Sequence, residues 1–202
     1  MKFRTIALNA VILATALILA GCSDTGGSDM EGMDHGGGTN SSPSASAEAT
    51  DATFNDADVT FAMEMVMHHQ QAIEMSDTLL AKDGVQPDVV ALAERIKAAQ
   101  GPEIDTMNQW LEDWGQDSDM GGMDHGGAMM SEEDMAALEE ADGETASALF
   151  LEQMIMHHQG AIDMAQTQID NGKNPDAVAL AQKIVEDQAA EIAEMQELIT
   201  QL

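Results

Sequence analysis

Cysteine is almost absent from this chain. Cys22 is the only one, so no intramolecular disulfide can form. Tyrosine is missing, aromatic residues make up only 3% of the chain, and no segment alternates with period two over strand length. The usual sequence signs of a β-sheet are therefore lacking. Cations are scarce too: 7 Lys and Arg stand against 37 Asp and Glu, a formal net charge of −30. Such a field repels nucleic acid and anionic lipid and concentrates cations. A solvated acidic face accounts for most of that charge, so acidity alone does not indicate a metal. Neither a nucleophile–base pair nor a phosphate-cradling loop is evident, and the chain is not read as an enzyme.

Long apolar runs are also lacking, with one exception at the N-terminus. Residues 6–20 form an apolar run, broken only by Asn9 and Thr15, and follow Lys2 and Arg4. The run is too short to span a bilayer comfortably, and small residues end it. Leu19-Ala20-Gly21-Cys22 resembles a bacterial lipobox. That resemblance implies a signal peptide over residues 1–21, cleavage before Cys22 and diacylation of its sulfur. An uncleaved anchor helix is the alternative. Either way the protein is expected outside the cytoplasm, anchored to the bacterial cell membrane. Loss of Lys2 and Arg4 takes the charge from −30 to −32. In an oxidising compartment a thiol is liable to oxidation, and thioethers are the safer soft ligands. The chain has 17 Met.

Residues 22–54 are rich in Gly, Ser, Thr, Asp and Ala and read as a flexible tether. Over residues 55–202 apolar residues recur at helical spacing. Asn55 and Asp56 offer N-caps to a first helix that reaches about Ala81, where Asp83-Gly84 ends it. Pro87 opens a second helix, which Gly115 stops after Trp114. A low-complexity insert covers residues 116–130. Ser131-Glu-Glu-Asp then starts a short helix, interrupted at Asp142-Gly143. Another helix follows to about Asp170, a break at Asn171-Gly172, and a last helix from Pro175 to the C-terminus.

The pattern repeats. Met65-Val-Met-His-His-Gln-Gln-Ala-Ile-Glu-Met75 returns as Met154-Ile-Met-His-His-Gln-Gly-Ala-Ile-Asp-Met164. Repeat one is residues 55–115 and repeat two is residues 131–202. Their offset is 89 residues before the turn and 88 after it, so Met107 pairs with Met195. Two similar helical hairpins, each with one apolar stripe, can bury those stripes only against each other. The expected fold is all-α: an antiparallel four-helix bundle, ferritin-like, built from two repeated hairpins.

Imidazole with thioether is a ligand set for copper. On a helical wheel, Met65 and His69 share one face with Ala72 and Ser76; Met154 and His158 match them. His68 and His157 fall about 100° further round, toward the helix flank and near Met75 and Met164. The partner stripes hold Met107 and Met195, and also Gln100 with Glu103 and Gln188 with Glu191. A glutamate in an apolar stripe is costly unless paired. Counted from the turns, Glu103 and Gln100 lie level with His69, and Glu191 and Gln188 with His158. Each glutamate could ligate a metal or hold the second imidazole nitrogen. Methionines at helical spacing are more often core than ligand; the surface or rim reading holds for Met67 and Met156 in particular.

The low-complexity stretches carry the same chemistry. Met30, Met33 and His35 recur as Met120, Met123 and His125 within glycine-rich segments. Those methionines have no core to fill. Met-x-x-Met-x-His in such a chain suits a small soft ion, Cu(I) best and Ag(I) as well.

The duplicated motif, with Phe61 and Phe150 ahead of it, resembles the family catalogued as domain of unknown function 305. The resemblance covers roughly residues 54–202. It implies a secreted, ferritin-like helical bundle, and some members are copper-binding proteins tied to copper tolerance. It carries the motif onto Met65, His68, His69 and Met75, and onto Met154, His157, His158 and Met164. The expectation is an extracytoplasmic lipoprotein that takes up Cu(I), or Cu(II), and buffers it or hands it to a copper transporter or oxidase. One rival is a carboxylate-bridged di-metal oxidase. Against it, Glu64 precedes His68 by four rather than three, and Gln153 stands at that place in the second copy. The other rival is a metal-free envelope interaction protein.

Overall fold

In a computed structural model, residues 53–116 and 129–202 are described, and all of them fall within one compact unit, Ala47–Leu202. The described residues form five α-helices and no strand: α1 Asp56–Leu80, α2 Pro87–Asp113, α3 Glu132–Glu140, α4 Gly143–Asn171 and α5 Pro175–Ile199. Cys22, Met30, Met33, His35, Met120, Met123 and His125 lie outside the described residues. No helix among the described residues is long and apolar enough to cross a membrane.

Local chemistry sets the helix ends. Asn55 and Asp58 form a capping box at α1. Ser131 and Asp134 do the same for α3. Asp142 caps α4, accepting from Thr145 N at 2.9 Å. Asn174 caps α5 ahead of Pro175. Gly84 and Gly115 take positive φ after α1 and α2, at 82° and 67°. Gly143 is required for another reason: a Cβ there would stand 2.0 Å from the Asp83 carbonyl oxygen in the α1–α2 turn.

Contacts fix the pairing of the helices. Asp77 meets Lys97 while His69 meets Glu103, so α1 and α2 run antiparallel. Asp58 meets Gln168 while His68 meets His157, so α1 and α4 are antiparallel as well. The most extensive packing is within each pair, α1 with α2 and α4 with α5, and the pairs meet chiefly through α1 and α4. Each pair also holds the other's turn. Buried Asp58 accepts from Lys173 N at 3.1 Å and Asn174 N at 3.0 Å in the α4–α5 turn. Buried Ser147 accepts from Gln86 N, beside the α1–α2 turn, at 3.1 Å. The repeat offsets carry Asp58 to Ser147 and Gln86 to Asn174, so the two latches are related by the internal symmetry.

The short helix α3 lies on α1 and α4. Its Leu138 is fully buried in one cluster with Met75 and Phe150. Gln153 Nε2 donates to the Asp134 carbonyl at 2.8 Å, and Lys82 Nζ to the Glu139 carbonyl at 2.7 Å. The core itself is divided. One apolar cluster gathers Met75, Leu92, Ile96, Phe150, Met154 and Met195. The other gathers Phe61, Met65, Met107, Leu111, Ala165 and Ile184. Between them in sequence, on all four long helices, sit the buried polar residues His68, His69, Gln100, His157, His158 and Gln188.

Candidate metal centre

That polar layer is built one helix at a time. Adjacent histidines on α1 point about 100° apart. His69 faces α2, where its Nε2 donates to Glu103 Oε2 across 2.9 Å. His158 faces α5 and donates to Glu191 Oε2 across 2.6 Å. These are the contacts that counting from the turns anticipates. His68 and His157 stand on the flank, as the wheel places them, but that flank is not open to solvent. Both are buried, and their rings meet between α1 and α4 with centroids 3.6 Å apart. A wheel knows only its own helix. The flank of α1 at this level is the seam with α4, and symmetry-related histidines occupy it from both sides.

Donation from Nε2 to a carboxylate leaves Nδ1 of the same neutral ring as an acceptor. In His69 and His158 that Nδ1 is buried and has no hydrogen-bond partner in the described structure. Neither ring nitrogen of His157 has one. Both side-chain polar atoms of Gln100 and Oε1 of Gln188 are in the same condition. Each such group costs about 1–3 kcal/mol when left unsatisfied in a core. The layer therefore holds several buried polar atoms without a partner among the described residues.

Charge is arranged around it. Burial, assisted by the neighbouring histidines His68, His158 and His69, holds the His157 imidazole well below its usual basicity. Burial also lowers His69, against the pull of Glu103. Burial opposes ionisation of Glu103, but hydrogen bonds from His69 and Lys183 outweigh it and hold the carboxyl below its usual range. Lys183 is raised by its hydrogen bonds to Asp187 and Glu103. Sequence reasoning missed Lys183. The one available signal was the i, i+4 pairing with Asp187 on α5.

The thioethers divide into two groups. Met65 and Met107 border the layer on one side, Met154 and Met195 on the other, and all four are fully buried. Met75 and Met164 lie six residues beyond His69 and His158, about 9 Å along the helix axis, outside the layer. Met75 is sealed under α3. Met164 is only partly buried and lines an open groove of about 280 Å³ with Phe61 and Glu64. Met67 is partly buried, and Met156 is 56% exposed. Among the described residues no three His, Cys, Asp or Glu side chains group into a metal cage.

Residues 58–199 match the family described as Domain of unknown function (DUF305). Solved structures resemble the chain over 71–73% of its length. A DUF305 protein from Streptomyces coelicolor, assigned as secreted, has a TM-score of 0.66 at 32% identity, covering 72% of this chain and 91% of that one. A DUF305 fragment from Deinococcus radiodurans has a TM-score of 0.67 at 31% identity, covering 73% and 98%. CopM in its Cu(II)-bound form has a TM-score of 0.63 at 32% identity, covering 71% and 96%. CopM has also been solved with Cu(I) and with Ag bound. Among proteins of curated function, none matches the chain significantly.

Proposed function

The chain belongs to the DUF305 family, and on that premise we propose that it is an extracytoplasmic copper-binding lipoprotein. It captures Cu(I), and Cu(II) as well, then buffers the ion or passes it to an envelope transporter or oxidase. The four long helices form an antiparallel, ferritin-like bundle of two hairpins. A lipid on Cys22 holds the protein to the membrane. The Met/His segments at Met30–His35 and Met120–His125 collect the ion.

One observation carries this reading. Four histidines are buried in one layer, ring nitrogens of His69, His157 and His158 lack hydrogen-bond partners among the described residues, and fully buried methionines border the layer on both sides. Most buried polar side-chain atoms in native proteins have a hydrogen-bond partner, so unpartnered ring nitrogens point to a ligand. Imidazole lone pairs with thioethers suit Cu(I), and imidazole also suits Cu(II). Glu103 and Glu191 fix the tautomer and increase the basicity of the opposite nitrogen. CopM, at about a third identity, binds the same ions, which supports the assignment. Met75 and Met164, a turn and a half away, then serve the fold.

The test is Cu(I) uptake by the purified protein in competition with a chelator of known affinity. Uptake should fall when His68, His69, His157 and His158 are all replaced by glutamine. No uptake, or uptake indifferent to that replacement, removes the proposal.

A further inference from the structure

The repeat is symmetric in sequence but not in its ionic contacts. Lys183 Nζ on α5 lies 2.9 Å from Glu103 Oε1 on α2 and 2.6 Å from Asp187 Oδ2. Glu103 Oε2 already accepts from His69. Both oxygens of Glu103 are therefore engaged, and the side chain is 12% exposed. The offset of 88 relates Lys183 to Arg95 and Glu191 to Glu103. Symmetry would bring Arg95 to Glu191. Instead Arg95 pairs with Glu194, three residues further along α5, where both partners are exposed. The carboxylate of Glu191 has one polar partner among the described residues, His158.

Resting on the copper reading above, we infer that Lys183 is a positioning residue that makes the two histidine–glutamate pairs unequal, so that a soft cation occupies the His158–Glu191 side first. The physical grounds are two. An ammonium beside Glu103 opposes a second cation entering near His69, even with Asp187 sharing its charge. It also draws on the carboxylate that would otherwise strengthen His69 as a ligand. Glu191 has no such competitor and gives its full charge to His158. It is also somewhat more open, at 20% exposure, so it can adjust as the ion enters. Lys183 is itself largely solvated, which limits the effect to roughly fivefold.

The experiment uses the full chain in detergent micelles, isotopically labelled on histidine, with Ag(I) as a diamagnetic probe. Substoichiometric Ag(I) should move the ring signals of His158 at several-fold higher occupancy than those of His69. Lys183→Gln should bring the two occupancies within about twofold. Lys183→Arg, which keeps the charge, should restore the preference. A purely structural lysine would leave the order unchanged in all three. Equal or reversed occupancy in the natural chain overturns the inference, and so does a preference that survives Lys183→Gln. If no bundle histidine responds to Ag(I), the copper reading falls with it; if they respond in the wrong order, only the role of Lys183 falls.

Discussion

His157 separates a structural from a functional explanation of the polar layer. Its ring is buried, lies tilted against that of His68, and has no hydrogen-bond partner at either nitrogen among the described residues. Leucine has similar bulk and needs no partner. His157→Leu should therefore leave the metal-free protein as stable as before or more so, by up to about 2 kcal/mol, while copper uptake drops. Thermal melts of the apo protein read the first effect and chelator competition the second. A melt lowered by several degrees would mean that the histidine serves the fold. The same residue gives a pH dependence. His157 and His69 have folded pKa values below the ordinary 6.5. Above 6.5 both states hold the rings neutral, and the stability is fully present. As pH falls through 6.5, the unfolded chain takes up protons that the folded core refuses, and stability is lost by up to about 1.4 kcal/mol per pH unit for each ring. Urea midpoints of the apo protein should drop between pH 7 and pH 5, and the slope should be shallower in His157→Leu. Glu103 acts lower down: its pKa is depressed below 4.5, so its contribution is present above 4.5 and is lost only as pH falls further.

Among the helices, the two copies of the motif sit under different cover. Met75 and Met164 are equivalent in sequence. Met75 is sealed by α3 with Leu138 and Phe150, whereas Met164 lines an open groove with Phe61. Met75→Ala should cost about 2–5 kcal/mol, the usual range for emptying a closed core site. Met164→Ala should cost clearly less, because solvent and neighbours can take up the space. Denaturant unfolding of the two variants checks this; equal losses would mean that the groove is closed in solution. The sequence made the long helices legible because their signals are local: Asn55 with Asp58, Pro87, Gly115, Asn174 with Pro175. The His69–Glu103 and His158–Glu191 contacts were legible too, since an antiparallel hairpin turns residue number into height. The seat of α3 and the meeting of His68 with His157 were not. Both depend on how one hairpin lies on the other, and neither wheel nor turn count contains that information. Lys183 escaped for the same reason, because its partner Glu103 lies on the other hairpin.

The molecule as a whole is held together by paired latches of unequal strength. Asp58 is a buried carboxylate whose oxygens accept from Asn55 N, Gln168 Nε2, Lys173 N and Asn174 N. It thereby ties the cap of α1 to the turn of the other hairpin, 115 and 116 residues away in sequence. Ser147, its symmetry mate, offers one hydroxyl to Gln86 N at 3.1 Å. Hydrogen bonds to a charged group are worth about 1.5–3 kcal/mol each. Asp58→Ala should therefore destabilise the protein by about 3 kcal/mol or more, and Ser147→Ala by about 1 kcal/mol. The larger loss also bears on metal binding, because the layer exists only where both hairpins contribute histidines. If Asp58 holds the hairpins in register, its loss should weaken copper uptake even though it lies ten residues from His68, about 15 Å along α1. Chelator competition on Asp58→Ala, at a temperature where circular dichroism shows its helices intact, tests this directly. Unchanged affinity in a folded variant would mean that the packing of α1 on α4 alone sets the geometry of the layer.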